Sequence, residues 1–243
     1  MVFHGFQKMT LLDFPGRVAC TLFTGGCNLR CPFCHNAPLV TDIDGDSALY
    51  REEEIFTFLK RRVGLLDGVA VTGGEPLLHK DLPAFLSRVK EMGFAVKLDT
   101  NGTFPDRLRE IVSAGLADYV AVDIKNCPDE YARTCGLEKM DISPVLETVE
   151  YLLSDVVPYE FRTTLVAGFH TPERVAQIAS LIKGAKHYYL QNFKDSGRLI
   201  CPGLSALPLE ELQACLAAAR KYVPGTELRG VDILPATEAD PAG

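Results

Sequence analysis

Apolar, β-branched runs alternate with stretches of helical period along most of the chain. Runs at 18–23 (VACTLF), 68–72 (GVAVT), 94–99 (FAVKLD), 119–124 (YVAVDI), 160–166 (EFRTTLV) and 187–191 (HYYLQ) read as strands. The stretches at 51–65, 80–92, 105–115, 143–154, 172–183 and 208–222 read as helices. Ser143-Pro144 and Thr171-Pro172 each offer an N-cap hydroxyl followed by a proline at the first helical position. On the 143–154 helix, Val145, Leu146, Val149, Leu152 and Leu153 form one apolar stripe. Strands alternating with helices predict parallel pairing through right-handed crossovers, in an open doubly wound sheet or a barrel. Six units fall short of a closed eight-stranded barrel. No composition break divides the chain, so residues 1–243 read as one domain. Residues 1–17 form an N-terminal extension, and 223–243 a tail containing proline and glycine.

The polar and glycine-rich exceptions to this pattern share one position. Gly25 to Asn36 follows the first strand, Gly73-Gly74-Glu75-Pro76 the second and Asp99-Thr100-Asn101-Gly102 the third. Asp123 and Lys125 end the fourth, and Gln191-Asn192 ends the sixth. All of these lie at strand C-terminal ends, where parallel α/β folds build their sites.

Composition narrows the function. With 47% apolar and 23% charged residues in 243, the chain can build a core. Its longest apolar run, Ala214 to Ala219, is six residues, against about 20 for a membrane span. A net charge of -7 without a basic block argues against nucleic acid as partner. The N-terminus lacks the basic-then-apolar layout of a secretory signal, so a soluble, cytoplasmic protein is expected. Walker, GxGxxG and HExxH motifs are absent, which removes the usual anchors of nucleotide hydrolysis, dinucleotide redox and zinc proteolysis.

Three of the eight cysteines, Cys27, Cys31 and Cys34, stand as C-x3-C-x2-C within a glycine-rich turn. Thiolates so spaced converge on a soft metal centre. Structural zinc and electron-transfer clusters usually take four protein ligands, whereas three thiolates on a cubane leave one iron open. Zinc held by the triad and His35, in a non-catalytic binding module, is the competing reading, and a trio of buried thiols a third. Gly73 and Gly74 let backbone approach a ligand, and Glu75 can accept a bond from an ammonium group. Asp99 and Asp123 repel unless a cation sits between them, although solvated aspartates paired with Lys125 account for them equally well. Arg162, in an otherwise apolar strand, needs an anion if it faces a barrel interior.

The run Cys27-Asn28-Leu29-Arg30-Cys31-Pro32-Phe33-Cys34-His35-Asn36 resembles the signature of the radical S-adenosylmethionine (radical SAM) superfamily, particularly its glycyl-radical-enzyme activases. The opening Gly5-Phe6-Gln7-Lys8-Met9-Thr10-Leu11-Leu12-Asp13-Phe14-Pro15-Gly16 resembles that of anaerobic ribonucleoside-triphosphate reductase activating proteins. The likeness extends to about residue 205. It implies a partial (β/α)6 TIM-like barrel with a [4Fe-4S] cluster on Cys27, Cys31 and Cys34. The open iron would chelate S-adenosylmethionine, whose reductive cleavage gives a 5′-deoxyadenosyl radical that takes a hydrogen atom from a glycine of a partner enzyme. The implied partners are a glycyl radical enzyme, here an anaerobic ribonucleotide reductase, and a flavodoxin- or ferredoxin-type electron donor.

The resemblance also assigns roles. Phe33, His35 and Asn36 would embrace adenine, and Gly73, Gly74 and Glu75 would hold the methionine amino group. Asn101 and Lys125 would contact the cofactor, Arg162 its carboxylate, and Asp99 with Asp123 a monovalent cation. Asn192-Phe193-Lys194 departs from pyruvate formate-lyase activases, which carry a Tyr-His there. His4, His79, His170 and His187 read as surface or hydrogen-bonded loop residues. Cys127 and Cys135 lack the paired C-x2-C inserts of an auxiliary cluster, and Cys20, Cys201 and Cys215 read as small apolar residues. A radical SAM enzyme acting on a small molecule, similar to 7-carboxy-7-deazaguanine synthase, is the rival activity. It would need a lid, and the largest loop available, 37–50 with Asp42, Asp44 and Asp46, is short.

Overall fold

The computed structural model describes residues 1–42, 49–195 and 197–230. Its elements in chain order are β1 (Val2–Phe3), β2 (Gly5–Thr10), β3 (Ala19–Thr24), α1 (Ala37–Thr41), β4 (Tyr50–Arg51), α2 (Glu52–Lys60), β5 (Gly68–Gly73), α3 (Leu82–Glu91) and β6 (Ala95–Thr100). Then follow α4 (Pro105–Ser113), β7 (Tyr119–Asp123), α5 (Pro128–Thr134), α6 (Ser143–Leu153), β8 (Tyr159–Leu165), α7 (Pro172–Leu181), β9 (Tyr188–Asn192), α8 (Leu209–Arg220) and β10 (Thr226–Arg229).

The six expected strands pair in parallel as β3-β5-β6-β7-β8-β9. Their near-continuous apolar sequences suit burial on both faces, with helices covering the outside. This is the α/β architecture of a partial TIM barrel. Antiparallel β2 extends the sheet at one end and parallel β10 at the other, and the two terminal strands do not pair with each other among the described residues.

Several expectations need correction. The N-terminal extension folds into β1 and β2; β2 is an edge strand whose exposed Gln7, Lys8 and Met9 leave no apolar alternation to read. Part of the expected tail is β10, while residues 231–243 and Asp44 and Asp46 of the 37–50 loop lie outside the described residues. Helix α2 ends at Lys60, before a series of tight turns that includes Leu65 N–H to Arg62 carbonyl at 2.9 Å. Ser143 is the first residue of α6 rather than its cap, its hydroxyl donating to Asp141, whereas Thr171 caps α7 by accepting from Arg174 N–H at 3.4 Å. The α6 stripe packs through Val145, Val149 and Leu152, leaving Leu146 exposed. Among the described residues no helix is long and apolar enough to cross a membrane.

Candidate active site

Parallel register brings the C-terminal ends of β3 to β8 to one level, with Thr24 opposite Gly73 and Asp123 opposite Arg162. A cavity of about 440 Å³ opens there. It is lined by Cys27, Cys31 and Cys34, by the loops after β5 and β6, and by Asp99, Asp123, Lys125 and Arg162. Every residue named from the sequence as a site residue lines it except Glu75, which lies directly beneath.

The cysteine loop is held by backbone. Gly26 N–H donates to Leu39 carbonyl at 2.7 Å, and Gly26 carbonyl accepts from Glu75 N–H at 2.8 Å. Gly74 N–H donates to Thr24 carbonyl at 2.8 Å. A Cβ on Gly74 would lie 1.9 Å from the Gly26 oxygen. Glycine at 74 therefore lets two protein loops touch while itself lining the cavity. Asn36 Nδ2 donates to Gly73 carbonyl at 3.1 Å and ties the two loops again.

Glu75 is also a clamp. It is fully buried, and its carboxylate accepts from Leu77 N–H (3.0 Å), Thr100 hydroxyl (2.8 Å) and Asn101 N–H (2.7 Å). Burial pushes it up to about 7 against those donors. Three donors of the protein converge on the carboxylate, two on Oε1 and one on Oε2.

The β6-to-β8 side is built from charge. Arg162 Nε donates to Asp123 at 2.9 Å and its Nη1 to Asp99 at 3.1 Å. Lys97, itself buried, pairs with Asp99, and Lys125 with Asp123 at 3.2 Å. Burial alone would raise both aspartates, but the neighbouring cations outweigh it and hold them below the usual carboxylate range. The Arg162 guanidinium thus bridges Asp99 and Asp123. Lys97 escaped the sequence reading although period two places it on the inward face with Asp99. Glu160 and Arg229, joined by two bonds of 2.9 Å, extend the network beneath. Arg162 and Lys125 are the cations that line the cavity, facing Asp99, Asp123 and Asp13.

The thiols differ in environment. Burial pushes Cys27 up to about 11 and raises Cys34, whereas a hydrogen bond with Cys135 brings Cys31 down to about 7 against burial. Cys27 Sγ accepts from Leu29 N–H at 3.4 Å and lies 3.8 Å from Asn101 Nδ2. Among the described residues no three His, Cys, Asp or Glu side chains, the triad included, are placed to hold a single metal ion. His35 packs its ring 5.7 Å from that of Phe193 instead of completing a zinc tetrahedron. Three thiols spread around a cavity suit a larger multi-iron group, the donor set that thiolate clusters require.

Phe33 packs its ring 5.8 Å from that of Phe169. Buried His170 links Val166 N–H (3.1 Å) and Lys125 carbonyl (2.9 Å), and His79 bonds Gly25 carbonyl at 2.9 Å, so both are structural. Cys20 and Cys215 are buried as expected, but Cys201 is exposed. Cys135, set aside from sequence, lies beside Cys31.

Comparison with known proteins accords with this geometry. Residues 21–182 match the Radical SAM superfamily. A Methanocaldococcus jannaschii protein described as a glycyl-radical enzyme activating enzyme is 31% identical over 234 residues, covering 94% of this chain and 95% of that one. The 7-carboxy-7-deazaguanine synthase of Thermococcus kodakarensis is 29% identical over 184 residues, covering 68% and 70%. A solved domain of pyruvate-formate lyase-activating enzyme from Bacteroides vulgatus superposes with a TM-score of 0.54 at 21% identity, over 67% of this chain and 99% of that one. With the match to that family spanning nearly the whole of both chains, this protein belongs to the radical SAM superfamily and, within it, to the glycyl-radical-enzyme activating enzymes.

Proposed function

We propose that this chain installs a glycyl radical on an anaerobic ribonucleotide reductase. It would use a [4Fe-4S] cluster on Cys27, Cys31 and Cys34, S-adenosylmethionine, and an electron from a flavodoxin- or ferredoxin-type donor. The observation that carries the reading is one cavity lined by all three thiols and by the strand-end loops after β5, β6 and β7. When bound, the cluster supplies the electron for reductive cleavage of the sulfonium bond.

The chain's own residues bind, orient and shield. Glu75 fixes the loops after β5 and β6 to one another, so the backbone facing the cavity is pre-set. Lys125 and Arg162 offer donors to a cofactor carboxylate, while Arg162 keeps Asp99 and Asp123 from repelling it. Phe33 and His35 give the cavity aromatic surface for a nucleobase. Gln7 and Asp13, beside the unpaired edge of β2, line the same cavity, giving an extended partner segment lateral access.

The test mixes anaerobically reconstituted, reduced protein with S-adenosylmethionine and an anaerobic ribonucleotide reductase, then records the EPR spectrum. A glycyl doublet supports the reading. No doublet, together with turnover of a pterin-type small molecule, transfers the chain to the small-molecule enzymes.

A further inference from the structure

Asn28 belongs to the cysteine loop, and Asn101 and Thr103 to the turn after β6, yet their side chains close a ring. Asn28 Nδ2 donates to the Thr103 hydroxyl at 3.0 Å. That hydroxyl donates to Asn101 Oδ1 at 2.6 Å, and Asn101 Nδ2 donates to Asn28 Oδ1 at 2.9 Å. Among the described residues no backbone-to-backbone hydrogen bond involves residues 27–29, so side chains fix this stretch. One backbone group sets the direction of the whole ring. Thr103 N–H, which can only donate, meets the Asn101 side chain at 3.0 Å, so the atom there is Oδ1. The Asn101 amide nitrogen must therefore face the cysteine loop. Besides Asn28 it meets Cys27 Sγ, at 3.8 Å. Asn101 is 7% exposed, so little water competes for that hydrogen. Leu29 N–H reaches the same sulfur at 3.4 Å. A ring that only joined two loops would need one hydrogen of the Asn101 amide, and the second points at sulfur.

We propose that Thr103 is a positioning residue for the cluster: it holds the Asn101 amide so that its second hydrogen donates to the Cys27 sulfur, raising the potential at which the cluster accepts an electron. The inference rests on the cluster reading above but not on the identity of the partner. As a thiol, Cys27 donates to Asn28 Oδ1 at 3.9 Å. Metal binding takes that proton, leaving a thiolate that only accepts and Asn28 Oδ1 to Asn101 alone. A hydrogen bond to a ligand sulfur withdraws charge from it and so favours the reduced, more negative cluster.

The experiment reconstitutes the full chain as wild type, Thr103→Val, Thr103→Ser and Asn101→Leu, counts iron, and titrates each cluster's midpoint potential by EPR without S-adenosylmethionine or partner. Thr103→Val keeps the shape but removes an acceptor from Asn28 and a donor from Asn101. It should bind as much iron as wild type, at a more negative potential. Thr103→Ser, which keeps the hydroxyl, should shift less. Asn101→Leu, which removes the donor outright, should shift furthest in the same direction. A wild-type potential in Thr103→Val or in Asn101→Leu, or equal shifts in the two Thr103 variants, overturns the inference. If a variant fails to fold or to take up iron, ENDOR of the reduced wild-type cluster with asparagine labelled by 15N in its side chain decides. A nitrogen coupling supports donation, and its absence overturns it. Absence of iron from the wild type would overturn the cluster reading and this inference together. A missing glycyl doublet with the potentials behaving as expected would overturn only the partner.

Discussion

The two halves of the cavity wall are held by different physics. On the β3–β5 side, the cysteine loop and the loop bearing Glu75 touch backbone to backbone, and Gly74 leaves no room for even a methyl group. On the β6–β8 side, Arg162, Lys97 and Lys125 neutralise Asp99 and Asp123 inside the barrel. The first half is specified by shape and the second by charge. Shape fixes where the cysteine loop sits, because packed backbone has no softer arrangement available. Charge fixes side-chain direction and sets donors and acceptors facing the cavity.

Breaking either half should cost about 3 kcal/mol. Arg162→Met leaves two buried carboxylates short of a partner, and loss of one member of a buried ion pair costs about 3–5 kcal/mol. Lys97 and Lys125 remain, so the lower end is expected in urea unfolding. Adding Asp123→Asn should recover part of the loss, which a purely steric role for Arg162 would not allow. In the other half, Gly74→Ala forces the cysteine loop away from β5. A loss of about 3 kcal/mol is expected, at the upper end for overpacking, with iron uptake falling in parallel. Normal iron uptake by that variant would show that the cysteine loop does not depend on this contact.

The same contrast explains what could be read from the sequence. The six parallel strands were legible because burial on both faces writes itself as apolar runs, as in GVAVT and VACTLF. Edge strands β2 and β10 were not, since polar and apolar residues mix on their buried and exposed sides, with Thr10 and Thr226 buried and Met9 exposed. Site membership was legible because every unusual residue sits at a strand end, but partners were not. Glu75 and Gly74 were legible as site residues but not as the contacts that join two loops, because spacing reveals which loop a residue occupies and not what it touches. Period two placed Asp123 and Lys125 on one face, and it would have placed Lys97 with Asp99. Nothing local marks Arg162 as their common counter-ion, nor Cys135 as a neighbour of Cys31, since those contacts cross 39 and 104 positions of chain.

Glu75 sharpens the comparison at smaller magnitude. Glu75→Gln puts an amide where Asn101 N–H and the Thr100 hydroxyl now find carboxylate oxygens, so at least one donor loses its acceptor. The expected loss is about 1–3 kcal/mol, read by thermal unfolding, with Glu75→Ala losing more. Unchanged stability in both variants would mean that the clamp is not what joins the two loops.

The smallest effect expected is a pH dependence of opposite sign in the two halves. Glu75 is raised from an ordinary 4.5 to about 7 in the folded protein, so the folded state holds its proton more tightly than the unfolded one. Its contribution is complete below about pH 4.5 and is lost as pH rises through about 7. Asp99 and Asp123 are held below their ordinary 3.8, so their contribution is complete above that value and is lost as pH falls below it. Urea unfolding of the apo protein across pH 3–8 separates the two. Glu75→Gln should flatten the decline between pH 4.5 and 7 and leave the acid limb alone, whereas Asp123→Asn should flatten the acid limb and leave the neutral one. If either variant altered both limbs equally, the two halves would be one coupled network and the division between shape and charge would not hold.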